Sequence, residues 1–114
     1  MATITQTDMT GTGARDVAVT TLAGSDDFEY GGGTAILILS NGTGGDVTPT
    51  VEGDGATTAS LPGYGTVDVS GGYSVGTISD GTTVAIPLDS IRKYLVGNLT
   101  VESGSGLEAQ LLVY

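Results

Sequence analysis

Thirteen of the 114 residues are Asp or Glu, and six of them gather in two places. Asp26, Asp27 and Glu29 fall close together, and Asp46, Glu52 and Asp54 bracket a neighbouring segment. Two carboxylates facing each other across a cleft could hydrolyse a glycosidic bond, one as acid and the other as nucleophile or base. Nothing in the spacing sets two of these groups across a cleft. Planar platforms for a sugar are also few, with no Trp, one Phe and five Tyr, of which Tyr64 and Tyr73 are the candidates. The expectation is solvated acidic loops and no enzyme.

The same loops could offer oxygens to a hard cation. "GSDDFEYGGG", "NGTGGD" and "EGDG" are rich in carboxylates and carbonyls, but none has the spacing of a twelve-residue calcium loop. Histidine and cysteine are absent altogether. That removes the commonest general base, the thiol nucleophile and the usual transition-metal ligands. "YGGGT" lacks the Lys of a phosphate-binding loop and runs into a strand rather than a helix. Asn41-Gly42-Thr43 and Asn98-Leu99-Thr100 fit the glycosylation tripeptide but arise readily in a Thr-rich β protein. No metal and no cofactor is expected, so stability should not depend on chelators or reductants.

The elements that would position these groups are short strands. "TAILILSNG" holds five consecutive apolar residues, Ala35 to Leu39, and stops at Asn41-Gly42. A run of that length bounded by turn residues reads as a central strand, with Ile36, Leu37, Ile38 and Leu39 in it. Val17–Leu22, "DVTPTVE", "TVDVS", "YSVGTIS" and "TTVAIPL" are further β-prone runs, with Pro49 suggesting an edge or bulge. Asp80-Gly81 is a turn signal, and "GSG" at 104–106 reads as the turn of a hairpin between "GNLTVES" and "LEAQLLVY". Turns every 8 to 12 residues predict an all-β chain. The architecture expected is a small, jelly-roll-like β-sandwich of about eight strands. Residues 1–13 form an extended arm or edge strand and 14–114 a single domain.

Composition narrows the partners. The chain is 39% hydrophobic and 14% charged, with a formal charge of −10 and only three basic residues. Nucleic-acid binding needs clustered Lys and Arg, and anionic membrane surfaces attract the same residues. Neither partner is expected. The longest apolar run is too short to cross a bilayer as a helix, and no secretory signal is visible.

Two of the three basic residues, Arg92 and Lys93, adjoin in "TVAIPLDSIRKYL", which alone reads as helical, over 88–95. Pro87 suits the first helical position, and acid early with base late suits the helix dipole. So short a helix cannot stand alone. Leu88, Ile91, Tyr94 and Leu95 must therefore dock on the sandwich and cap its open end, leaving the basic pair outward. The weakly patterned arm would pack marginally in the monomer and could add as a strand to another chain. Thr3, Ile4, Thr5, Arg92, Lys93 and Tyr94 are thus the candidate interface.

The order of these features resembles a known family. "DMTGTG" is followed by an acidic, aromatic loop with Phe28 and Tyr30, then "GGGT", an apolar strand ending at Asn-Gly, Thr-rich alternation, a Pro-initiated turn with a Tyr, and a terminal "LLVY". This is similar to the decoration, or cement, proteins of tailed bacteriophage capsids. The resemblance implies a β-sandwich virion protein on the outer capsid surface that binds the major capsid protein. It also implies a homo-oligomer, with a trimer favoured. The alternatives are a carbohydrate- or surface-binding β-sandwich module and a tail or fibre accessory domain.

Overall fold

The computed structural model describes the chain except residues 1–2, 12, 15, 32, 56–57, 62, 64 and 69–70; at 58–61 and 66–68 it describes the backbone alone. Tyr64, a candidate for sugar stacking, and Arg15, the third basic residue, lie outside the described residues. Eleven strands run in the described chain: β1 (Gln6–Asp8), β2 (Thr20–Thr21), β3 (Ser25–Phe28), β4 (Ala35–Ser40), β5 (Thr50–Gly53), β6 (Thr58–Leu61), β7 (Gly65–Asp68), β8 (Tyr73–Ser74), β9 (Thr83–Pro87), β10 (Leu99–Glu102) and β11 (Glu108–Val113). A 3₁₀ segment, Leu88–Tyr94, separates β9 from β10.

The pairing is nested. β5 pairs antiparallel with β8, β4 with β9, β3 with β10 and β2 with β11. A chain doubled back in this way is one long ribbon, with the β6–β7 hairpin lying between β5 and β8 in sequence. The ribbon rolls up when β10 also pairs with β5 and β11 with β4. One sheet then reads β3-β10-β5-β8. The other reads β1-β11-β4-β9, with β2 also on β11. That is the jelly-roll order, so the expected all-β sandwich is the fold. β1 is an extra strand, parallel to β11.

The core lies between the sheets. Leu37, Leu39 and Leu111 point inward from one, Val51 and Val101 from the other, and all are fully buried. The 3₁₀ segment contacts both β4 and β5, with Leu88 and Ile91 buried, so it closes one end of the sandwich as expected.

Several local expectations change. "GSG" is not a hairpin turn, because β10 and β11 belong to different sheets. Ser103 at φ 60 and Gly106 at φ 88 carry the chain across, while Leu107 enters the core. Of Val17–Leu22 only Thr20–Thr21 is strand. Pro87 is not the first helical residue: with φ −68 and ψ 111 it is the extended end of β9. Asn41 is a buried staple rather than an open turn residue. Its Nδ2 donates to the Gly45 and Ile78 carbonyls at 2.7 Å, and its Oδ1 accepts from the Thr43 N–H at 2.9 Å.

Gly53 of β5 sits directly beneath the chain leaving the 3₁₀ segment. A Cβ there would meet the Val96 carbonyl oxygen, with Val96 N at 2.7 Å and Tyr94 O at 2.8 Å. All three atoms are backbone, so Gly53→Ala forces residues 94–97 outward and should cost about 2 kcal/mol, or about 8 °C of melting temperature in a domain this size. Gly42, with open space around its Cβ position, is the control. Thermal melts in which Gly53→Ala and Gly42→Ala both match the parent would contradict this packing.

Candidate functional site

Of the six candidate interface residues, three lie at the closed end of the sandwich. Within the 3₁₀ segment, Ser90 Oγ donates to the Pro87 carbonyl at 2.6 Å, and Ile91 (φ −118, ψ 22) kinks the turn. The Leu95 N–H donates back to the Arg92 carbonyl at 3.0 Å. With Leu88 and Ile91 turned inward, Arg92 and Lys93 stand exposed beside each other. They are the only Lys or Arg among the described residues. Tyr94 is half-buried and meets Tyr73 edge-on, with centroids 5.8 Å apart at 63°. Tyr73 is itself half-buried and packs against the core.

The other three are on the arm, and here the expectation of marginal packing is overturned. Thr3 bridges in parallel to Asp27, and the Ile4 N–H donates to the Asp27 carbonyl at 2.8 Å. β1 then runs along β11, and the Met9 N–H donates to the Val113 carbonyl at 2.7 Å. The arm therefore begins on the edge of one sheet and ends on the edge of the other. Ile4 is 2% exposed and belongs to the core. Thr3 and Thr5 are exposed. An apolar residue surrounded by Thr gave little sign of this, because period-2 alternation over so short a run is a weak signal.

The acidic "loop" is also partly strand. Asp26 lies on β3 and points inward beside Val101, fully buried. Its carboxylate accepts from the Ala23 N–H at 3.0 Å and the Gly24 N–H at 3.2 Å, so it braces the turn before β3. Its neighbours face out. Asp27, Thr100 and Glu52 form one row across the outer face of this sheet, and Ser25, Glu102 and Thr50 the next. Ser25 Oγ donates to Glu102 Oε1 at 3.0 Å. An open cleft of about 1070 Å³ adjoins this face, lined by Asp27, Glu29, Tyr30, Asp54, Asn98 and Thr100 among others. Asp54 accepts from the Asn98 N–H at 2.8 Å and its Nδ2 at 3.1 Å, which fixes the cleft's rim. Among the described residues no three carboxylates come together in a way that could hold a metal ion.

The opposite outer face has a different chemistry. On the β11-β4-β9 sheet, Leu112, Ile36 and Pro87 form one row and Gln110, Ile38 and Ala85 the next. Ala85 and Pro87 are exposed, the rest half-buried. Ile36, Ile38 and Leu112 do not pack against the core cluster, whereas Val84 and Val113 do. The Tyr114 N–H donates to the Thr34 carbonyl at 2.9 Å, extending the ladder, and strand alternation puts Tyr114, 52% exposed, on the side of Leu112. This face was absent from the sequence-based candidates. The uninterrupted "AILIL" and the terminal "LLVY" were its signal, the first read only as a central strand and the second as the end of a hairpin.

Comparison with protein-family models, with curated proteins and with solved structures finds no match to this chain. No described helix is long and apolar enough to cross a membrane.

Proposed function

We propose that this chain is a non-catalytic virion protein that decorates and stabilises the outer surface of a tailed-phage capsid. Its partner is the major capsid protein, and it acts as a homo-oligomer, a trimer being the favoured form. The observation that carries this reading is the placement of charge. Asp27, Glu52 and Glu102 stand on the outer face of the β3-β10-β5-β8 sheet, while the described positive charges stand together on one exposed turn at the end of the sandwich. Such a body can present acid to solvent and dock by one end. A basic pair facing an acidic patch sets register and speeds encounter more than it adds affinity. Repetition over the lattice supplies the remainder through effective concentration. Preference for the expanded shell then stabilises that state by linkage.

The test is co-sedimentation with shells assembled from a tailed-phage major capsid protein, before and after expansion. The parent should bind expanded shells preferentially. Arg92→Glu with Lys93→Glu should weaken binding about tenfold or more while leaving the melting temperature within about 2 °C, since both side chains are exposed and such surface pairs contribute little to folding. Failure of the parent to bind either shell removes the reading. A glycan-binding module is the second reading, favoured by the cleft with Tyr30, Asn98 and Thr100 on its walls. Saturable binding to an immobilised glycan that Tyr30→Ala abolishes would move the assignment there.

A further inference from the structure

β9 has a neighbouring strand on one side only. The Asn41 N–H donates to the Thr82 carbonyl at 2.9 Å, in line with the β4–β9 register, and bonded pairs alternate along an antiparallel ladder. Thr82, Val84 and Ile86 therefore face β4, while Thr83, Ala85 and Pro87 turn their backbone groups away from it. Proline fits that edge because its nitrogen has no hydrogen to donate. The Pro87 carbonyl accepts from Ser90 Oγ at 2.6 Å. The N–H and C=O groups of Thr83 and Ala85 meet no partner among the described residues. We infer that this edge takes one extended strand from a partner protein, apolar on its inner side and acidic where it passes Arg92 and Lys93. The inference rests on the docking role given above to that basic pair, not on the partner's identity.

Of the four edges in the two sandwich sheets, this one is the longest. The edge of β3 is taken by the arm, whose Ile4 N–H donates to the Asp27 carbonyl. β2 and β8 are two residues long and β1 three, whereas β9 is five. Exposed edges are commonly blunted by charged side chains, and β9 carries none.

The surroundings define the occupant. Ile86 and Val84 share the inner side of β9, opposite Leu37 and Leu39. Ile86 is buried, but Val84 is only half-buried, although it packs against the core. An apolar side chain on an added strand would cover it. Past Pro87 the 3₁₀ segment rises about 2 Å per residue, so Arg92 and Lys93 stand within roughly 12 Å of the strand's end. A partner strand antiparallel to β9 spans that distance in about three residues, and carboxylates there would oppose two exposed cations. Along the rest of the strand this chain's charge of −10 disfavours acid. A second β9 is a poor occupant. Pairing centred on Ala85 would set Pro87 against Thr83 and lose a donor at each end, and two copies repel.

The test adds an acetylated peptide, in which Asp-Glu precedes an alternating Thr-Val run, to the whole chain and follows amide hydrogen exchange by NMR. In the free protein the Thr83 and Ala85 amides should exchange faster than those of Val84 and Ile86. Saturating peptide should slow them about tenfold or more. Ala85→Pro removes the outward N–H without touching the β4 ladder, so it should fold and weaken the peptide at least about tenfold. Ala85→Thr keeps that N–H and should bind as the parent does. Arg92→Glu with Lys93→Glu should lose the Asp-Glu peptide and accept a Lys-Lys counterpart. Thr83 and Ala85 amides as protected in the free chain as their neighbours overturn the inference. So does a millimolar peptide that slows neither, or binding that Ala85→Pro leaves unchanged. Protection that grows with protein concentration alone would put a second copy on the edge and overturn it too. Capsid shells separate this contact from the decoration reading. Shells that hold Ala85→Pro as firmly as the parent keep that reading and remove the strand. A peptide that binds where no shell does keeps the strand and removes that reading.

Discussion

A chain lacking residues 2–8 should be destabilised by at least about 4 kcal/mol, a drop of about 17 °C in melting temperature for a domain of this size. The truncation removes Ile4, which is 2% exposed within the core. Emptying a buried Ile site typically costs about 2–5 kcal/mol. It also strips the ladder partners from one edge of each sheet, the Asp27 carbonyl on one and β11 on the other. Each lost backbone bond adds about 1 kcal/mol, offset in part where water replaces it. Ile4→Ala alone should account for more than half of the loss, which separates core packing from strand pairing. A synthetic peptide of residues 2–10 should partly restore the truncated chain by refilling the groove. An unchanged melt would mean that the arm contributes nothing to the monomer. The same energetics bear on assembly, because an arm that leaves to pair with another chain must first surrender these contacts.

The second large effect is at Asp26. Replacing it by Ala empties a fully buried site and removes the acceptor for the Ala23 and Gly24 N–H groups at the part-buried turn before β3. Two donors left without a partner at about 1–3 kcal/mol each imply a loss of about 4 kcal/mol, again about 17 °C. Asp26→Asn keeps one acceptor oxygen and should lose about half as much. Asp27→Ala, one residue along on the outer face, is the control and should melt within about 2 °C of the parent. Urea denaturation of the three variants would show it. Equal midpoints for Asp26→Ala and Asp27→Ala would refute a bracing role for the buried carboxylate.

The strands most visible in the sequence were those whose signal is local. β4 ends at Ser40, one residue past the apolar run, and 88–94 turns where its pattern required. The partners of those strands were far less visible. "GSG" looked like a hairpin turn because neighbouring β runs usually pair, yet β10 and β11 find partners far away in the chain. Asp26 was hidden for a similar reason. A carboxylate among Ser, Asp and Glu reads as solvated, and only its backbone partners at 23 and 24 explain its burial. Ile36 and Ile38 were seen as apolar, but whether anything covers them is a property of layers rather than of strands. Arg92 and Lys93 lie on the surface because Leu88 and Ile91 take the inner side of the turn, as their spacing indicated.

Nested pairing also constrains the order in which the chain can fold. Val51 and Tyr73, in the innermost pair, enclose a short loop, whereas Thr20 and Ala109 enclose almost the whole chain. Loop-closure entropy rises with the logarithm of loop length, and each inner pair already formed shortens the loop that the next must close. The ribbon should therefore zip from the β5–β8 end outwards, slowly, as chains dominated by distant contacts do. Its last step needs β11, which lies between β4 and the paired edges of β1 and β2. Until a ribosome has released the chain through Val113, the apolar faces of β4 have no neighbour on that side. The roll cannot close before β11 has left the ribosome.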